Sequence, residues 1–123
     1  MAKSFEWLLF LELADRLILI ETEECYRSAV SRSYYGVFGN IRSELEKAGI
    51  IFKRANLHQQ IIDWLISQQL PDLESIGKKL YVLRNERNHA DYDSKELFNR
   101  FRAENSLAIA RSIADSIKKS KLV

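Results

Sequence analysis

The stretch EECYRSAVSRSYYGVFGNIRSELEKA, from Glu23 to Ala48, decides the fold. Tyr26, Ala29, Val30, Tyr34, Val37, Phe38, Ile41 and Leu45 recur in it at three- and four-residue spacing. On a helix of 3.6 residues per turn those positions form one continuous apolar stripe, and Gly49 follows as a natural stop. A helix of this kind owes most of its stability to other elements packed on its apolar face. Gly36 and Gly39 lie inside it. Glycine in a helix interior costs about 1 kcal/mol relative to alanine, and close approach of another helix is the expected reason for accepting that cost.

Outward from this stretch the same periodicity predicts four more helices. The first runs from Ser4 to Ile20, with a wide apolar arc that includes Phe5, Leu8, Leu9, Leu13, Leu17 and Ile20. The third runs from Leu57 to Leu70, capped by Asn56 with Gln59 three residues on, and is ended by Pro71. The fourth starts at Asp72, buries Leu73, Ile76, Leu80 and Leu83, and ends near His89 or Ala90. The fifth starts after Asp93 or Ser94, where Asp93 and Glu96 have capping-box spacing, and continues through Leu97, Phe101, Ile109, Ala110, Ile113 and Ile117 almost to the end. Only 4 Gly and 1 Pro occur in 123 residues, too few for the tight turns of an all-β protein. The expected fold class is all-α, an up-and-down bundle of four to five helices forming a single domain over residues 1–123.

Composition excludes several function classes. The net charge of +2 demands no nucleic-acid partner, although it leaves room for a local basic patch. Cys25 is the only cysteine, and His58 and His89 are the only histidines. No intramolecular disulfide can form, and four-cysteine and Cys/His zinc patterns are absent. No metal and no cofactor are expected. The apolar run Trp7–Ile20 is broken by Glu12, Asp15 and Arg16 and is too short to span a bilayer. It lacks a signal-peptide cleavage site, so the expected location is cytoplasmic, away from membranes.

Around residue 84 the pattern changes. From Arg84 to Asp93 only Ala90 and Tyr92 are not strongly polar. The plain reading is a solvated helix end followed by a turn, with Arg87 favouring the helix C-terminus and Asp93 capping the next helix. The functional reading rests on residue types. Cleaving RNA without a metal needs a group that moves protons near neutral pH, for which His89 is suited. It also needs a cation for the charge that builds on phosphorus, and Arg84 and Arg87 present planar forks that match phosphate oxygens. Asn85 and Asn88 can hydrogen-bond phosphate or orient His89. Lys78 and Lys79 extend the basic rim toward an RNA, unless they form an ordinary solvated face. Positions 84 and 89 are about 140° apart on an ideal helix. Either the helix ends or kinks between them, or the site is built from two chains; a symmetric dimer is the reading adopted.

RNERNH (Arg84–His89), followed by ADYD (Ala90–Asp93), resembles the Arg-x4-His motif of the HEPN superfamily, small helical domains common in prokaryotic toxins and RNA-cleaving defence systems. SRSYYGVF (Ser31–Phe38) resembles the second helix of that family, and LELADRL (Leu11–Leu17) its first. The resemblance implies a HEPN-like bundle, a homodimer and metal-independent endoribonuclease activity. By it Arg84 and His89 are catalytic, with Asn85 in support. It also implies a toxin of a toxin–antitoxin or phage-defence pair, with a nucleotidyltransferase-type antitoxin as partner. The alternative is a non-catalytic HEPN module that holds such a partner or a nucleotide. Some toxins of the family carry a modifiable Tyr two residues after the His. Here that position is Asp91, and Tyr92, counted among the supporting residues, comes one later.

Four further residues are given ordinary roles. His58 is expected to make a surface or capping contact, and Arg32 to pair with a carboxylate inside the bundle. Tyr34 and Tyr35 point about 100° apart, so one enters the core while the other lines a cleft or interface.

Overall fold

A computed structural model describes residues 4–120 and 122. Five helices follow in order: α1 (Leu9–Ile18), α2 (Glu23–Lys47), α3 (Leu57–Ser67), α4 (Pro71–Tyr92) and α5 (Arg100–Ser120). No strand occurs among the described residues, so the all-α bundle is as expected. Helix α2 is its centre, in contact with α1, α4 and α5, while α3 packs on α4. Ala29, Val30, Tyr34, Val37, Ile41 and Leu45 of α2 are fully buried and join Ile61 and Leu65 of α3, Leu80 and Leu83 of α4, and Ala110 and Ile113 of α5 in one core cluster. Among the described residues no helix is long and apolar enough to cross a membrane.

The ends of α2 show why it starts and stops where it does. The Thr22 hydroxyl accepts from the Cys25 backbone N–H at 3.4 Å, the usual way of satisfying a first-turn donor. At the other end Gly49 has φ +85°, its N–H bonds to Glu46 O (3.0 Å), and the Ile50 N–H bonds to Leu45 O (2.9 Å). This pair of reversed bonds is the Schellman stop, which needs a left-handed residue and therefore favours glycine.

Both interior glycines mark a close approach, as the sequence implied. A Cβ on Gly36 would lie 2.9 Å from Leu11 Cδ2, and one on Gly39 would overlap the Trp7 ring. Gly39→Ala gains helix propensity yet must push back a rigid indole. A net loss of about 1–2 kcal/mol is expected in urea denaturation; a variant as stable as the parent would show that Trp7 does not pack there.

Several helix ends differ from the periodicity reading. The first helix spans only Leu9–Ile18, because the flanking turns close through i→i+3 bonds such as Phe10 N–H to Trp7 O and Leu19 N–H to Arg16 O. Asn56 precedes α3 with φ 56° and makes no side-chain cap; instead the Gln60 amide reaches back to the carbonyls of Lys53 and Ala55. Helix α4 starts on Pro71, whose missing N–H costs nothing at a first helical position. It runs on past Ala90 to Tyr92. The capping box at Asp93 and Glu96 does not form. Asp93 Oδ1 accepts from Lys95 N–H in a turn, and α5 begins only at Arg100, just after Asn99, whose Oδ1 accepts from Arg102 N–H. Leu97 and Phe101 are consequently 71% and 74% exposed rather than buried, and Phe98 takes the core position.

Candidate active site

Helix α4 is unbroken from Pro71 to Tyr92, so Arg84 and His89 do leave it on different faces. Arg84 points toward α3, where its Nη1 donates to Gln59 Oε1 at 3.1 Å; its Nε is buried without a hydrogen-bond partner. His89 points to the junction of α4 and α5. Its side chain is about half exposed, with Nδ1 2.6 Å from Glu96 Oε2 and 3.6 Å from Asp93 Oδ2. Glu96 Oε2 makes no aligned hydrogen bond, but two carboxylates beside Nδ1 favour the tautomer that carries its proton there and leaves the Nε2 lone pair free. The Lys95 N–H bonded to Asp93 is the main reason its carboxyl titrates below the usual carboxylate range.

One guanidinium organises the segment that follows. Arg27 of α2 donates from Nη1 to the carbonyls of Ala90 and Asp93 (2.9 Å each) and more weakly to His89 O (3.4 Å), and from Nη2 to Glu96 O. It also pairs with Glu23, whose carboxylate accepts from Phe98 N–H at 2.9 Å, and lies over the Phe98 ring. The Ala90 carbonyl, in the last turn of α4 where helical partners run out, is thus satisfied by a charge from another helix. The neighbouring Arg102 holds Glu86 at 2.7 Å and Glu96 Oε1 at 3.2 Å. Only the Oε2 oxygen of Glu96 then faces His89.

The other residues singled out by sequence divide into three groups. Asn85 is exposed and lines a groove between α4 and α5 together with Val82, Glu86, His89, Asn105 and Ile109. Arg87 lies inward, its side chain only 13% exposed. It pairs with Asp91 at 3.2 Å, donates to the Tyr35 hydroxyl and to Asn88 Oδ1, and lies beside the rings of Tyr34, Tyr35 and Tyr92. Asn88 is occupied by that contact, while Tyr92 is largely exposed. Lys78 pairs with Glu74 at 2.9 Å, and with Lys79 borders a shallow depression at the start of α4. Of the set, Asn85 and His89 share one groove, and Arg84 and Arg87 share the opposite side.

On that opposite side sits His58, partly buried and engaged with the core as well as lining a groove. Its Nδ1 is 2.5 Å from the Tyr34 hydroxyl, and its ring stacks on Phe38 with centroids 4.0 Å apart. Burial first, then the charges of Arg84, Arg87 and Arg42, push the imidazole down to about 4. Burial also raises the Tyr34 hydroxyl well above its ordinary value. Tyr34 enters the core and Tyr35 lines a cleft with Trp7 and Phe38. Arg32 stacks over Phe10 and Tyr35, with its guanidinium within hydrogen-bond reach of the Ser31 hydroxyl, rather than meeting a carboxylate.

The His58 shift carries a pH dependence. The unfolded chain takes up a proton near 6.5 and the folded chain only near 4, so stability is intact above 6.5 and is lost as pH falls toward 4. With the ring only partly shielded from solvent, the expected loss is about 1–2 kcal/mol. Thermal melts between pH 7.5 and 4 should show this limb, and His58→Asn should flatten it. An unchanged limb in that variant would assign the effect to other groups.

A family model for the HEPN domain matches residues 10–120. The chain belongs to the HEPN family. No curated protein and no solved structure matches it. In this HEPN chain the Arg-x4-His pair stands on an intact helix, and neither member is buried out of reach. Sequence reasoning missed Arg27, and it missed that Asp93 and Glu96 serve His89. The i,i+4 spacing of Glu23 and Arg27 was visible, but nothing in it reveals contacts across more than sixty residues.

Proposed function

We propose that this HEPN domain is a metal-independent endoribonuclease that works as a homodimer, with a composite site in which His89 of one chain meets Arg84 of the other. The observation that carries the reading is the unbroken α4. It separates Arg84 and His89 within a chain by about 140°, so joint action on one phosphate requires two copies. Tyr81, Val82, Tyr92, Leu97 and Phe101 are exposed, an apolar supply near the segment that suits a two-fold contact.

The chemistry follows from the geometry. With its Nδ1 proton on the side of the Glu96 and Asp93 carboxylates, His89 offers Nε2 to the ribose 2′-hydroxyl. That proton passes to Nε2, the 2′-oxygen bonds to the adjacent phosphorus, and the bond to the 5′-oxygen breaks. The leaving oxygen takes a proton from water. The products are a 2′,3′-cyclic phosphate and a 5′-hydroxyl end. The partner's Arg84 meets the non-bridging oxygens as negative charge builds on them. The biological role proposed is that of a toxin in a toxin–antitoxin or phage-defence pair, restrained by a nucleotidyltransferase-type antitoxin.

The purified protein is expected to cut single-stranded RNA in excess EDTA and to leave cyclic phosphate ends. RNA that stays intact over a wide range of protein concentration would overturn the reading. The alternative, a non-catalytic HEPN module whose exposed apolar face holds a nucleotidyltransferase partner or a nucleotide, would then gain from a complex that survives His89→Ala.

A further inference from the structure

His89, Asp93 and Glu96 converge from the last turn of α4 and the connection to α5, and one donor atom from each lies within 4.8 Å of the others. We propose that these three side chains form a binding site for a zinc-class divalent cation, and that the ion, when bound, switches His89 off as a base. The second half rests on the nuclease reading; the first does not.

Three features of the structure support the site. A tetrahedral ion with bonds of about 2.0–2.1 Å spaces its ligand atoms about 3.3 Å apart. The Nδ1 distances of 2.6 Å to Glu96 and 3.6 Å to Asp93 straddle that value, so sub-ångström side-chain movement opens the cage. The ligands are also held before any ion arrives, because Arg27 gathers the backbone carbonyls of all three ligand residues. Arg102 occupies Glu96 Oε1 and turns Oε2 toward His89. Such outer partners are what fix the orientation of metal ligands.

The ligand chemistry selects the ion. One imidazole and two carboxylates make a borderline set that suits zinc. Magnesium keeps near-octahedral oxygen and retains its waters. Arg27 and Arg102 are the cations facing the cluster, and both are engaged with carboxylates or carbonyls: Glu23, Glu86, Glu96 and the end of α4. Three protein ligands leave the fourth position to water.

The switch follows from the two nitrogens of one ring. Without an ion, Nδ1 carries the proton and Nε2 the free lone pair. A zinc ion on Nδ1 binds the lone pair of that nitrogen, so the ring proton moves from Nδ1 to Nε2. The proton count on the imidazole is unchanged, but the nitrogen facing substrate becomes a donor and cannot accept from a 2′-hydroxyl.

Calorimetric titration of the full chain with zinc chloride tests the site without RNA. One zinc per chain is expected, with affinity falling at least tenfold in each of Asp93→Asn, Glu96→Gln and His89→Ala, all checked for helical content. Asp93→Asn keeps the acceptor that Lys95 uses, so it guards against a folding artefact. Absence of binding, or binding that survives all three changes because it sits at Cys25 or His58, overturns the site. In parallel, zinc is added to cleavage reactions, each variant being compared with its own zinc-free rate. Inhibition of the parent at the concentration that fills the site, and at least tenfold more zinc needed for Asp93→Asn, supports the switch. Full activity with the site filled overturns it. A protein that binds zinc here but cleaves no RNA sinks the nuclease reading and the switch, and leaves the site standing.

Discussion

On the nuclease reading, His89→Ala is expected to lower the rate of RNA cleavage by about 10²–10⁴-fold, the range a positioned general base contributes. Arg84→Ala is expected to lower it by about 10²–10³-fold, as when a donor aimed at developing charge is removed. Folding should survive both changes, since His89 is half exposed and Arg84 makes a single hydrogen bond to a side chain. The decisive measurement mixes the two inactive proteins. If His89 of one chain works with Arg84 of the other, a mixed dimer has one intact site, and random pairing restores roughly a quarter of the parental activity. If both residues act within one chain, the mixture stays inactive, because neither chain holds an intact pair. His89→Ala cleaving at the parental rate would end the nuclease reading itself.

The second large effect is expected at Arg27, which touches no substrate. Arg27→Ala leaves the carbonyls of Ala90, Asp93 and Glu96 and the carboxylate of Glu23 without their cation and removes the stack on Phe98. Removing the shared donor from this part-buried network costs about 2 kcal/mol, and the melting temperature should drop by roughly 6 °C. Arg27→Lys keeps the charge but offers one compact ammonium where a planar fork spans four carbonyls, so roughly half the loss should remain. Cleavage should fall in both variants even at temperatures where they are folded, because the turn that brings Glu96 to His89 loosens. A melting temperature unchanged in Arg27→Ala would show that the junction of α4 and α5 is held by other contacts.

Much of the fold was legible because it depends on local periodicity. The stripe from Tyr26 to Leu45 needs only 3.6-residue geometry to be recognised, and Gly49 stops its helix for a steric reason that acts within a few residues. Helix ends were less legible. Asp93 and Glu96 have the spacing of a capping box, yet both turn toward His89, because Arg27 and Glu23 pull the chain from Asp93 to Phe98 onto the start of α2. A cap competes with such long-range contacts and loses when they involve a full charge. The same competition moved Leu97 and Phe101 from the expected core to the surface.

The site divides along the same line. The sequence by itself determined that Arg84 and His89 sit within one polar segment, that their residue types suit metal-free phosphoryl chemistry, and that the segment belongs to a helical bundle of the HEPN kind. Residue type and spacing along the chain suffice for those statements. Only the tertiary structure decided that α4 runs unbroken through the segment, that His58 stacks on Phe38 beside the Tyr34 hydroxyl, and that Asp93 and Glu96 flank His89 in a turn gathered by Arg27. Each of these depends on groups that are remote in sequence meeting in a site partly shielded from water, where charge and hydrogen bonding act over a few ångströms and leave no trace in the order of the residues.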